Sequence, residues 1–273
     1  MRARDLLALA TGAVRSHRLR SALTMLGIVI GIASVILLTS IGEGTRSYIL
    51  AEFAQFGTHL VSIHPGKSKT TGIPGAVGAT VRKLTVEDAV AIGRLPGVEQ
   101  VAPINGGVGR VEAGSRARNV FVIGVTDAVP GVFQMGVRQG RFVPPGDPRR
   151  SSPVAVLGPT LKRELFADRN ALGERIRIAG QRFLVIGVME PKGRVLGLDL
   201  DDRVYVPLAS AQGIFNRDEL LEIDLRFSSR VPSADLVARV KHTLANRHDG
   251  EEDFTVFTQA EMLGALDRVL AIV

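Results

Sequence analysis

From Ala22 to Ile41 the chain reads ALTMLGIVIGIASVILLTSI, twenty residues without a charge. A helix of that length rises about 1.5 Å per residue and crosses a hydrocarbon core roughly 30 Å thick. The run is read as a transmembrane helix over 22–41. Gly27 and Gly31 form a small-x-x-x-small pair, which lets another helix approach closely.

The flanks set the orientation. Arg2, Arg4, Arg15, Arg18 and Arg20 precede the span against only Asp5, which leaves 29 of the 34 basic and 26 of the 27 acidic residues for the rest of the chain. Much of the net charge of +7 is therefore a feature of the leader. Lys and Arg beside a span stay cytoplasmic, so the N-terminus is expected inside and residues 42–257 outside. Residues 1–21 place Leu6, Leu9, Ala10, Ala13 and Val14 on one helical face, as an interfacial amphipathic helix in contact with membrane lipid would. No run interleaves basic residues with aromatics, so nucleic acid is not an expected partner.

Beyond the span Ile41, Tyr48, Ile49, Phe53 and Phe56 keep helical spacing, predicting a stalk over 42–56. A strand at Leu60–Ile63 and a Gly- and Pro-rich loop follow. Thr85-Val-Glu-Asp88 has the form of a helix N-terminal box, opening a helix to about Leu95. Short strands are expected at Val98–Ile104, Val108–Glu112, Asn119–Val125 and Val154–Leu157, with an irregular stretch from Pro130 to Arg150. A helix is expected at Pro159–Phe166 and a hairpin around Ala179-Gly180. A strand at Val204–Val206, a helix at Leu208–Phe215 and a strand at Leu221–Phe227 come next. A helix capped by Ser233 and a last strand at Phe254–Phe257 complete the pattern. Strands mixed with short helices indicate an α+β domain, its β-rich middle (106–219) inserted between flanking parts at 57–105 and 220–257. From Thr258 the sequence turns helical again, with Met262 and Leu266 on one face. Residues 258–273 are expected to form a second stalk and the truncated start of a second span.

No catalytic, metal or cofactor-binding constellation emerges. Pro65-Gly-Lys-Ser68 resembles part of a phosphate-binding loop, but the required first glycine is Val61. Asp199, Asp201 and Asp202 suggest a calcium loop, yet its glycine position holds Val204 and its terminal glutamate position Ser210. The five histidines lack zinc-protease spacing, no G-x-S-x-G elbow surrounds a serine, and cysteine is absent.

The run LRSALTMLGIVIGIASVILLTSIGEG resembles the first transmembrane helix of permease subunits of the macrolide-exporter type. These belong to the ATP-binding-cassette group that includes the lipoprotein-releasing permeases. FGTHLVSIHPG, LTVEDAVAIGRLPGVEQVAP, VFVIGV, VAVLGPTLKRELF, ALGERIRIAGQRFLVIGVME, DDRVYVPL and FTVFTQAEML follow in the family's order. The resemblance implies a four-span permease with a porter-like subdomain carrying an inserted α/β-rich subdomain outside the bacterial inner membrane. It further implies a non-catalytic subunit, a second permease copy, a cytoplasmic ATPase that uses ATP and Mg, and a periplasmic adaptor in some members. No ATPase is fused here and three spans are missing, so the sequence is expected to be a fragment. The alternative from the residues is a single-span anchored sensor or binding module.

Overall fold

A computed structural model of the protein describes residues 18–54, 59–66, 83–195 and 198–258. The leader up to residue 17, Phe56, the loop at 67–82, and the segment beyond Thr258 with Met262 and Leu266 lie outside the described residues.

Helix α1 (Arg18–Ala54) is unbroken over 37 residues, about 55 Å. No proline interrupts it. Its hydroxyls turn back on the helix: Thr24 donates to the Arg20 carbonyl, Ser34 to Ile30, Thr39 to Val35 and Thr45 to Ile41. Each of these four hydroxyls is thus satisfied locally, which an apolar surrounding requires.

The elements after it are β1 (Leu60–Pro65), α2 (Val86–Gly93), β2 (Val98–Ala113), β3 (Arg116–Val125), α3 (Val129–Phe133), β4 (Val137–Gly140), β5 (Val154–Leu157) and α4 (Pro159–Phe166). There follow β6 (Arg175–Ile178), β7 (Gln181–Met189), the short pair β8 (Arg194–Val195) and β9 (Leu198–Asp199), β10 (Arg203–Pro207), α5 (Leu208–Phe215), β11 (Glu222–Phe227), α6 (Ser233–Arg247) and β12 (Phe254–Thr258).

Four strands, in the order β12-β1-β11-β2 and antiparallel throughout, form one part of the sheet. Helix α2 connects β1 to β2, and α6 connects β11 to β12. By chain order this is 4-1-3-2, the split βαβ arrangement of ferredoxin-like folds. Both helices cover the same face, where Ile92, Leu236, Val240 and Leu244 meet Val61, Ile63, Ile223 and Leu225. Thr85 caps α2 in a full capping box with Asp88, and the helix stops at Gly93, before Leu95. Ser233 is the first residue of α6 and makes no cap; Pro232 holds that position.

Everything between β2 and β11 builds the second part. Here β2, β3, β10, β5, β7 and β6 pair in turn, and β6 pairs back onto β2 at Val111↔Ile178 and Glu112↔Arg177, closing a six-stranded ring. Strand β4 adds to β7 outside the ring. The ring encloses Val122, Leu157, Ile176, Phe183 and Val204 with Leu161, Leu165 and Phe166 of α4. The β6–β7 hairpin turns at Ala179 (φ 47°) and Gly180 (φ 85°), the double left-handed geometry of a two-residue hairpin loop.

Two features differ from the sequence reading. The stretch from Pro130 to Arg150 is not wholly irregular, since it contains most of α3 and all of β4. Val98–Ile104 and Val108–Glu112 are one strand, and the 105/106 division falls inside it. Asn105-Gly-Gly-Val resembles a break, but its glycines answer a packing need. A Cβ on Gly106 would strike the Val122 carbonyl, and one on Gly107 would lie 2.9 Å from the Phe215 ring. Asn105 is fully buried and its amide donates to the Arg217 (3.1 Å) and Glu219 carbonyls, tying β2 to the chain returning from the ring.

Gly124 of β3 makes a similar close approach: a Cβ there would overlap that of Ala211 and sit 3.2 Å from the Leu208 carbonyl. Gly124→Val should destabilise the fold by about 1–3 kcal/mol, seen as a lower urea midpoint. Adding Ala211→Gly should recover part of the loss; no recovery would place the strain elsewhere.

Candidate functional site

Three places concentrate the features that a functional site could use. The first is the surface of α1. Neither Gly27 nor Gly31 has an atom outside the helix within 4 Å of where a Cβ would be, so both notches are open. Spacings of three and four residues put Thr24 and Ser34 on the same face as the glycines, a continuation that the sequence reading missed. With their hydroxyls bonded inward, these residues present a narrow surface. Ile41 is exposed, and Tyr48, Ile49 and Phe53 belong to the same continuous helix.

The second is a clasp between α2 and α6. Asp88, 3% exposed, accepts from the Thr85 amide (2.9 Å) and hydroxyl (2.7 Å), and from Arg247 Nε at 2.5 Å. His248 Nε2 stands 3.4 Å from the same carboxylate, while its Nδ1 is 2.6 Å from Asp253. Burial alone would raise the Asp88 pKa, but the bonds from Arg247, Thr85 and His248 outweigh it and hold the group below its usual range. The placement also suits the helix dipoles, with the Asp88 carboxylate in the first turn of α2 and the Arg247 guanidinium in the last turn of α6.

The third lies on the opposite face of the four-stranded part. Ser62 of β1 donates to Asp224 of β11, and the register sets Asp224 between Ser62 and Ala102 of β2. Asp224 is 1% exposed, and its second oxygen has no partner. Two residues along, half-buried Glu222 has His64 Nδ1 at 3.5 Å. Burial, then the neighbouring Glu222 charge, drives the Asp224 pKa well up, and the Ser62 bond offsets only part of this. Burial likewise raises Glu222 against the opposing fields of His64 and Arg203. Over the β2 residues of this face, Ala102 and Ile104, lies an apolar layer of Ile123, Val129, Val132, Val156 and Met189, contributed by the ring and α3. The buried acid therefore belongs to the face along which the two parts of the sheet share a core. Among the described residues no three His, Asp or Glu side chains converge as a metal site would require.

Comparison with known proteins places this architecture. The family model described as the MacB-like periplasmic core domain matches residues 21–243. The pyoverdine export ATP-binding/permease protein PvdT of Pseudomonas syringae pv. tomato is 33% identical over 254 residues, covering 91% of this chain and 37% of that protein. The macrolide export ATP-binding/permease protein MacB of Bdellovibrio bacteriovorus is 30% identical over 260 residues, covering 92% of this chain and 40% of that one. The chain thus spans less than half the length of these relatives. The crystal structure of the periplasmic region of MacB from Actinobacillus actinomycetemcomitans shares the fold, with a TM-score of 0.68 at 21% identity over 83% of this chain and 99% of that one. The extracellular domain of the noncanonic ABC-type transporter YknZ gives 0.58 at 18% identity, over 73% and 100%.

Asp224 supplies a test through pH. Its folded pKa lies above the ordinary 3.8, so its contribution to stability is fully present below that value and lost as pH rises through the folded value. Asp224→Asn keeps the group neutral. Urea midpoints from about pH 4 to about pH 8 should show the variant gaining steadily on the wild type as pH rises. A difference independent of pH would mean that the carboxyl is ionised throughout.

Proposed function

The chain belongs to the family of MacB-like periplasmic core domains, and from that footing we propose that it is the first span and extracytoplasmic core of an exporter permease that converts cytoplasmic ATP hydrolysis into movement outside the membrane. On this reading α1 crosses the bacterial inner membrane with its N-terminus in the cytoplasm. The chain binds no nucleotide itself. ATP with Mg is hydrolysed by a separate ATPase, and a second permease copy packs against the notched face of α1 at Gly27 and Gly31. A periplasmic adaptor completes the assembly where one is used. The relatives' names, which join ATP-binding to permease, support an ATPase partner for this chain.

The observation that carries the proposal is the continuity of α1. A helix resists compression because each turn is held by its own ladder of hydrogen bonds, whereas a loop would absorb the displacement. Here the helix runs from Arg18 to Ala54, and the first strand of the folded region begins at Leu60. Few residues separate a bilayer-length rod from β1, which is bonded on both sides, to β11 and β12.

The test uses the full-length permease with its ATPase in proteoliposomes. Gly44→Pro, which breaks the helix beyond the apolar stretch, should leave basal hydrolysis within about twofold and lower export at least about tenfold. Gly27→Leu with Gly31→Leu should reduce transport-coupled ATPase activity by obstructing close packing. Export that persists in Gly44→Pro would show that the rod does not carry the motion.

A further inference from the structure

The outward surface of the six-stranded ring is covered unevenly. At one end Ile123, Val156 and Tyr205 lie under α3 and the segment holding Phe142 and Val143. Elsewhere on that surface a few apolar side chains are open to solvent. Val108 is 72% exposed, Phe121 38% and Leu184 39%; with Val90 these are the large exposed hydrophobics among the described residues outside α1. Val108 and Phe121 are direct cross-strand partners on β2 and β3, and Leu184 of β7 stands opposite Arg175 of β6.

Arginines of β6 and β7 surround Leu184, with Arg175 opposite it and Arg182 two residues before it. Arg177 faces Arg182 across the β6–β7 ladder and Glu112 across the β2–β6 ladder. Glu112 is held by Arg110, Nε to Oε1 at 2.7 Å. Arg175, Arg177 and Arg182 are exposed, with no carboxylate within ion-pair distance among the described residues. Like charges directly opposite on neighbouring strands repel, so Arg177 and Arg182 make a local cost that a counter-charge from outside would relieve.

We infer that this face docks an acidic protein segment that carries apolar side chains among its carboxylates. Its chemistry points to protein. The pleat spaces the guanidinium stems about 5 Å apart across strands and about 7 Å along them, the spacing of alternate side chains on an extended peptide. The exposed Leu184 set among the charges suits a segment of mixed character, and planar guanidinium groups bind carboxylates in bidentate fashion. The surface is distinct from the helix face assigned to coupling, and it needs no transport step to be detected.

The experiment measures fluorescence anisotropy of a labelled peptide alternating Glu and Leu against the purified full chain in detergent, with Lys/Leu and Ser/Leu peptides as controls. Saturable binding of the Glu/Leu peptide alone is expected, weakened by salt. The double variant R177E/R182E should bind at least about tenfold more weakly, Leu184→Ser should lose a few-fold, and R177K/R182K should retain most of the affinity. Arg163→Glu, on α4, should bind as the wild type does. Equal binding by R177E/R182E and the wild type would overturn the inference. So would binding to phosphatidylglycerol vesicles that depends on these arginines while the peptide does not bind, or a change in sedimentation showing that the face joins two copies of the chain. Any of these results leaves the coupling role of α1 standing.

Discussion

Strand β2 is shared by two structures that could not form as they do without it. From Val98 to Ile104 its ladder runs to β11, and from Asn105 to Ala113 to β3, with β6 joining at the end. Side chains alternate faces along a strand, so a slip of one residue would turn both cores inside out together. The register of the four-stranded part and the register of the ring are thereby one quantity. Asn105 sits at the handover, fully buried and bonded to the carbonyls of Arg217 and Glu219, and so fixes the outgoing strand against the returning chain.

How much of this was legible depends on the range of the interaction that decides each element. The apolar run, the Thr85 box, the helices at Pro159–Phe166 and Leu208–Phe215 and the Ala179-Gly180 hairpin are governed by neighbours a few residues away, and the sequence shows them. Continuity of β2 is decided by Phe215 and Val122, far along the chain, so Asn105-Gly-Gly reads as a turn when seen alone. The same holds for two short elements among prolines and glycines: β4, whose pairing with β7 supplies what local propensity lacks, and α3, which is held by the burial of Val129 and Val132. On α1 the glycine notches were legible, whereas the matching Thr24 and Ser34 needed the helix face to be drawn. Nothing local marks Asp224 as a buried acid, because Ser62 meets it only once the sheet forms.

Two buried carboxylates show how the same residue type takes opposite characters. Asp88 gathers donors from Thr85, Arg247 and His248 and stays ionised. Asp224 receives one hydroxyl, has another acid nearby, and is pushed toward its neutral form. The first is a fixed charge that joins two helices. The second lies on the face of the sheet from which the apolar layer toward the ring is built, where an ionised group would be costly to keep.

The strand pairing has a consequence for how such a domain is replaced. Val61, at the start of the sheet, is the direct partner of Thr258, at its end. The chain therefore enters and leaves at one spot on adjacent strands, and some two hundred residues hang from that spot as a closed pendant. Exchanging the pendant for another of different size would leave the distance between its two attachment points unchanged. A domain attached in this way is a module, free to vary in what it touches while the flanking chain keeps its spacing.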